Sequence, residues 1–220
     1  MSTIILFANI KGGVGKTCLS ALFADYLTLQ GFDVTVADAD LQASLYRHRE
    51  RELAEDPQLI CPWTILKLDT LDSEKLRFDM ETLSKKDGVV IIDTPGNLSE
   101  NNLMHLYKVA DMIVVPMAYD MDTIDATGIF INAIKKMTSA PLVFVPNRIN
   151  TTEGKAFERE LRDETITILG KYGTVTPRIK QSVVIKRYST LHALDKYQYA
   201  AVEHAFDRII IEIDKLKENG

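Results

Sequence analysis

The sequence predicts an α/β fold: a doubly wound, mainly parallel sheet with helices on both faces, built by one domain over residues 1–220. Three observations carry this. Short apolar runs alternate with amphipathic helical segments along the whole chain. The runs Val89-Val90-Ile91-Ile92 and Met112-Ile113-Val114-Val115 are apolar at every position, which suits strands covered on both faces. A chain of 220 residues that is 46% hydrophobic can bury a substantial core.

Strands are expected at 4–9, 33–38, 63–68, 88–93, 111–116 and 141–146, with a weaker one near 174–177. Helices are expected at 16–30, 42–54, 73–85, 100–109, 122–137, 153–170 and 197–217. The first of these sets Leu19, Leu22, Phe23, Tyr26 and Leu27 at helical spacings. No repeat, low-complexity segment or linker interrupts the series, and the charged stretch 48–58 reads as a helix end and loop. Right-handed crossovers in such a sheet place ligands at the carboxyl ends of the strands. Chemistry-bearing residues should therefore follow strands.

They do, first at Lys11-Gly12-Gly13-Val14-Gly15-Lys16-Thr17, directly after the run Ile4 to Ile10. Strand, glycine-rich loop and helix make a phosphate-binding context. Glycines let successive backbone N–H groups curl around a polyphosphate, and the following helix aims its positive end at the same anion. Lys16 can reach β- and γ-phosphates, and the Thr17 hydroxyl can coordinate Mg²⁺. The general pattern asks for glycine five positions before Gly15, where this chain has Ile10. In its place come Gly12, Gly13 and a second lysine, Lys11, whose alternative reading is a solvated side chain at a loop edge.

Asp38-Ala39-Asp40-Leu41-Gln42 follows the second strand. Paired acids there can hold metal-bound water or orient an attacking one, or can simply cap a turn. Ile91-Ile92-Asp93-Thr94-Pro95-Gly96 follows the fourth; its apolar run ending in an acid suits Mg²⁺ binding through water, and Pro-Gly turns the chain sharply. Val145-Pro146-Asn147-Arg148 ends a later strand.

The segment KGGVGKT resembles the deviant Walker A motif of the ParA/MinD group of ATPases, in which the early lysine is the signature. The resemblance extends over the whole chain, most specifically over its first hundred residues. It implies ATP and Mg²⁺ as ligands and a homodimer in the ATP state, with Lys11 reaching across to the partner's phosphates. It implies Gly12, Gly13, Val14, Gly15, Lys16, Thr17 and Cys18 around the phosphates, and Thr17, Asp38 and Asp93 around the metal. The acidic pair matches the family's D-x-D-P-Q motif, so Asp40 would position the hydrolytic water. Leu41 replaces the usual proline, which relaxes the backbone before Gln42. The stretch Tyr119 to Gly128 resembles the segment that packs against nucleotide and partner. Asn147 would lie by the adenine ring, and Pro177-Arg178 would form a second base-flanking loop.

Four uses of such an ATPase are open: DNA segregation, membrane positioning in the MinD manner, iron–sulfur chemistry, and small-molecule ligation. Cluster chemistry needs paired thiolates, whereas Cys18 and Cys61 stand alone in dissimilar surroundings, and the four histidines are scattered. The final helix mixes both signs of charge on its polar positions and suits packing on the sheet better than membrane anchoring. No apolar run approaches the length of a bilayer span, and Met1-Ser2-Thr3 leads straight into the first strand, so a cytoplasmic protein is expected. Net charge is −5, which argues against a wholly basic nucleic-acid binder. Yet Lys171, Arg178, Lys180, Lys186 and Arg187 fall in a stretch without an acid. This block is either a solvated face or, through Lys180, Lys186 and Arg187, a DNA-phosphate surface. No helix-turn-helix segment precedes the phosphate loop, so contact would be independent of DNA sequence. The expectation is a ParA-like partition ATPase, nucleoid-associated if it binds DNA, with a small ParB-like activator protein as partner. A MinD-like positioning ATPase is the alternative.

Overall fold

A computed structural model describes residues 1–97, 101–150 and 156–219. Seven strands form one sheet: β1 (Thr3–Phe7), β2 (Val34–Asp38), β3 (Thr64–Lys67), β4 (Val89–Asp93), β5 (Met112–Met117), β6 (Leu142–Pro146) and β7 (Gly173–Val175). Between and after them lie α1 (Lys16–Leu29), α2 (Ser44–Glu55), α3 (Ser73–Ser84), α4 (Met104–Lys108), α5 (Met121–Ile134), α6 (Ala156–Leu169), α7 (Val183–Lys186) and α8 (Lys196–Asn219). The order across the sheet is β3-β2-β4-β1-β5-β6-β7, and every pairing is parallel.

Alternation along each strand divides the core. Ile5, Phe7, Val36, Ile91 and Val114 pack with Leu22, Phe23 and Leu27 of α1, Leu45 of α2, and Phe206, Ile209 and Ile213 of α8. Their neighbours Ile4, Leu6, Val90, Ile92 and Val115 face Leu76 and Met80 of α3, Leu106 of α4, and Phe130 and Ile134 of α5. The apolar runs are thus buried on both faces, as their composition requires. The final helix covers the sheet, and among the described residues no helix is long and apolar enough to cross a membrane.

Several elements differ from expectation. The 100–109 helix is split into a 3₁₀ turn at Asn101–Leu103 and the short α4. Residue 100, and residues 153–155 of the expected 153–170 helix, lie outside the described residues. The second helix starts at Ser44 rather than 42, because Ala43 takes a left-handed conformation (φ 45°) after the Asp40 turn. Helix α7 falls inside the basic block and was not expected. Its cap is Ser182, whose hydroxyl accepts from the Val184 N–H at 3.3 Å.

Candidate nucleotide site

Pairing register brings the site together. Phe7 and Asp38 both sit opposite Asp93, so the ends of β1, β4 and β2 lie side by side, with the phosphate loop springing from β1. Gly15, at φ 99°, is in the left-handed region, and a Cβ there would collide with the Asn147 amide; only glycine serves. Val14 is buried, and its carbonyl accepts from Asn147 Nδ2 at 2.8 Å. Arg148 holds the loop from outside by donating to the Gly13 carbonyl.

Lys16 is buried, and its Nζ curls back toward the Lys11 carbonyl at 3.4 Å. Burial lowers its pKa, and the nearby Asp93 and Asp40 charges partly offset this. Such a desolvated cation is suited to an anion that restores its lost solvation. Gly96 closes the opposite side; a Cβ there would stand 3.5 Å from Lys16 Nζ.

Asp93 is fully enclosed, which pushes its pKa up to about 7. The charges of Asp38 and Asp40 add to the shift, and a hydrogen bond from Thr17 and the Lys16 charge oppose it. The Ser20 hydroxyl lies 3.4 Å from Asp93 Oδ1. A carboxylate raised in this way gains most from a divalent cation. The Thr17 hydroxyl, the Asp93 carboxylate and nearby Asp40 are a hard oxygen set of the kind Mg²⁺ takes together with phosphate oxygens. The donor set therefore fits the metal.

Asp38 has another occupation. Its Oδ2 accepts from the Leu45 and Tyr46 N–H groups at 2.9 and 3.0 Å, and its Oδ1 from the Asp40 N–H at 3.1 Å. It fastens the start of α2, so its hold on the metal would be indirect. Asp40 is half-buried, and one of its oxygens accepts from the Gln42 N–H at 2.8 Å. That bond organises the turn even with Leu41 in place of proline.

Lys11 stands at the loop edge, its Nζ 3.4 Å from Asp122 on α5. Its backbone N–H is held by Asn9 Oδ1 at 3.1 Å. The Asn9 amide in turn donates to Pro116 O and the Thr127 hydroxyl at 2.9 and 3.1 Å. Sequence reasoning missed Asn9, although a lone buried amide in the apolar run IILFANI was a readable signal.

Beside the loop opens a cleft of about 260 Å³ lined by Gly13, Gly15, Cys18, Asn147, Arg148, Lys180, Gln181, Ser182, Ile185 and Lys186. Asn147 is buried, and its Oδ1 has no hydrogen-bond partner among the described residues, the kind of acceptor that an exocyclic amine would satisfy. Pro177 and Arg178 are exposed and do not line the cleft. Ile179 explains this: fully buried, it donates to Pro146 O and accepts from the Ile149 N–H, which turns residues 180–186 toward the opening instead. Lys180 and Lys186, expected on a DNA surface, thus border the cleft, whereas Arg187 is exposed beyond it. The Cys18 thiol donates to Ile185 O at 2.8 Å and is pushed up to about 12 by burial.

A glycine-rich loop on a parallel sheet, with a buried lysine and a hydroxyl–carboxylate pair beneath it, defines a phosphate-loop nucleotide-binding protein. The CobQ/CobB/MinD/ParA nucleotide binding domain matches residues 5–189, and the chain belongs to this family. Among curated proteins, the chain is 27% identical over 147 residues to an iron-sulfur cluster carrier protein of Rickettsia felis, covering 56% of this chain and 46% of that one. The chain thus spans less than half the length of the curated relatives it matches. Its fold is shared with a putative plasmid partition protein from Borrelia burgdorferi B31 bound to AMPPNP (TM-score 0.75, 18% identity, 96% of this chain and all of that one). It is shared also with apo McdA from Cyanothece (0.74, 16%, 94% and 97%) and with the MinC:MinD cell division complex of Aquifex aeolicus (0.73, 18%, 95% and 96%).

Proposed function

We propose that this protein is a Mg²⁺-dependent ATPase of the ParA type, which closes into a homodimer around ATP and in that state binds DNA without sequence preference, for partition of a plasmid, chromosome or mobile element. The observation that carries the ATPase reading is the convergence of buried Lys16, Thr17, Asp93 and Asp40 under one glycine loop.

In this reading Lys16 binds the β- and γ-phosphates from within the loop. Thr17 and Asp93 would hold Mg²⁺, which would supply neutralisation of the phosphate charge. Asp40 orients the attacking water from the turn after β2. Asn147 takes the base through its unpartnered Oδ1. Among the described residues the Lys11 side chain is tied to its own chain through Asp122, whose side chain is 84% exposed. Such surface pairs contribute about 0–1 kcal/mol, so a partner subunit's phosphates can draw Lys11 away. Lys11 would then stabilise charge on the transferring phosphoryl group in trans. A small ParB-like activator would accelerate the step, and hydrolysis would open the dimer, since the ATP and ADP states must differ in dimer affinity for a cycle to run.

DNA binding is supported by the exposed cations of the 171–187 stretch beside the nucleotide cleft. The curated relatives are named for iron–sulfur carriage, which takes thiolate ligands. Here Cys18 is held protonated within the nucleotide cleft, while Cys61 borders a separate concavity beside Trp63 at the β3 edge. Retention on random-sequence duplex DNA, with Mg²⁺–ATP against ADP across a salt series, tests the reading. ATP-dependent, salt-sensitive retention is expected. Absence of binding in both states would remove the DNA role and leave the MinD-like positioning alternative.

A further inference from the structure

Helix α2 carries charge for which the nucleotide site has no use. Leu45 and Arg49 are its buried side, and its flank is clamped to residues 188–190. The His48 ring stacks on Tyr188 with centroids 4.9 Å apart, Glu52 accepts from the Thr190 N–H at 2.8 Å, and Arg49 donates to Thr190 O at 2.6 Å. At 3.6 residues per turn, Ser44, Arg47 and Arg51 follow around the helix from His48 and Glu52 on the solvent side. Both arginines are exposed, and no ion pair to either is found among the described residues. Arg51 Nε donates to the Arg47 backbone carbonyl at 3.2 Å, laying its guanidinium back along the helix, and the Arg51 charge acts on the Tyr188 hydroxyl. Tyr188 directly follows exposed Lys186 and Arg187.

We propose that Arg47 and Arg51 form, with Lys186 and Arg187, a two-element basic surface that takes the phosphate backbone of duplex DNA. This rests on the DNA-binding reading above and extends it to a helix the sequence did not implicate. The arginines border a shallow concavity of about 560 Å³ shared with Ser44, Glu50 and Ala54. Glu50 is the one acid lining the concavity; across the two elements the exposed charges are four cations against the two acids Glu50 and Glu55. The other members of the concavity are small, so the surface lacks the bulky apolar anchors a membrane would require. Guanidinium forks bind phosphate oxygens in pairs. Because Asp38 fastens the start of α2 through the Leu45 and Tyr46 N–H groups, the surface is tied to the strand end that carries Asp40.

The test uses the full chain with Mg²⁺–ATP on random-sequence duplex over a salt series. Each phosphate contact adds about 0.9 to the slope of log affinity against log salt. Arg47→Ala/Arg51→Ala should make that slope shallower by about 2 and weaken retention about tenfold or more near 0.1 M salt. Arg47→Lys/Arg51→Lys should keep most of the slope. Arg77→Ala/Lys85→Ala removes the same charge beside α3 on the opposite face of the sheet and should change nothing. Binding of a fluorescent ATP analogue should be equal in the parent and in the α2 and α3 variants, which separates lost contact from lost fold. If the α2 alanine pair retains DNA like the parent while Arg187→Ala does not, this inference is overturned and the DNA reading stands. Equal loss from the α3 control pair also overturns it. If the parent protein ignores DNA in both nucleotide states, or binds phosphatidylserine vesicles instead, both readings fall.

Discussion

The two walls of the nucleotide cleft are built in opposite ways. The phosphate-loop wall is held by sheet register: β1, β4 and β2 end together, and Asp93, Asp38 and the loop inherit their positions from that pairing. The facing wall is irregular chain, residues 180–186, held by a few long-range bonds such as Ile179 to Pro146 and Cys18 to Ile185. A wall made by register tolerates little change in its functional residues, because each has one place to be. A wall made by packing can shift, and it carries the exposed cations that would report nucleotide state to another surface.

Substitutions on the first wall should therefore have the largest effects. Asp40→Ala should lower ATP turnover by ~10²–10³-fold, the usual worth of a positioned acid–base group, while leaving ATP affinity within about threefold of the parent; single-turnover hydrolysis and equilibrium binding separate the two. Lys16→Ala removes a charged contact to phosphate worth about 2 kcal/mol or more, so titration with a fluorescent ATP analogue should show affinity falling about 30-fold or further. On the second wall, Asn147→Ala should cost less. It removes the partner of the Val14 carbonyl and the unpartnered Oδ1, so preference for ATP over GTP in competition binding should drop by about tenfold. Undiminished discrimination would place base recognition elsewhere in the cleft.

A smaller effect probes how α1 is seated behind the loop. Asp25 accepts from Trp63 Nε1 at 2.7 Å, its second oxygen has no hydrogen-bond partner among the described residues, and burial pushes its pKa up to about 7. The unfolded chain releases this proton near 3.8 and the folded chain near 7, so folded stability from this group is complete below about pH 4 and is lost as pH rises to 7. Asp25→Asn removes that dependence. Its melting temperature relative to the parent should rise by roughly 3 °C or more between pH 4 and 7; a constant difference would contradict the assignment.

The same contrast explains what was legible in the sequence. Strand, loop and helix at 4–30 are contiguous, so spacing alone located Gly15, Lys16 and Thr17. Asp93 was legible because the acid ending a fully apolar strand, weak as a signal alone, accompanies the glycine-rich loop at 11–17. Asn147 could be named only through the family resemblance, because an asparagine after a strand is also an ordinary turn residue. Three things were not legible. The capping of α2 by Asp38 depends on the Ala43 turn, which no spacing encodes. The role of 180–186 as a cleft wall follows from Ile179 inserting across more than thirty residues of chain, to Pro146. The neighbourhood of the α2 arginines and the basic stretch depends on His48 stacking on Tyr188, a contact between residues far apart in the chain that no spacing encodes.

The central claim is that Lys11 works across a dimer that ATP closes. It is tested most directly by the solution mass of Asp40→Ala, measured by light scattering with Mg²⁺–ATP and with Mg²⁺–ADP. The account predicts one chain with ADP, two with ATP, and one again with ATP when Lys11→Ala is added. An ATP-bound protein that stays at one chain, or an Asp40→Ala/Lys11→Ala protein that doubles as readily as Asp40→Ala alone, would contradict it.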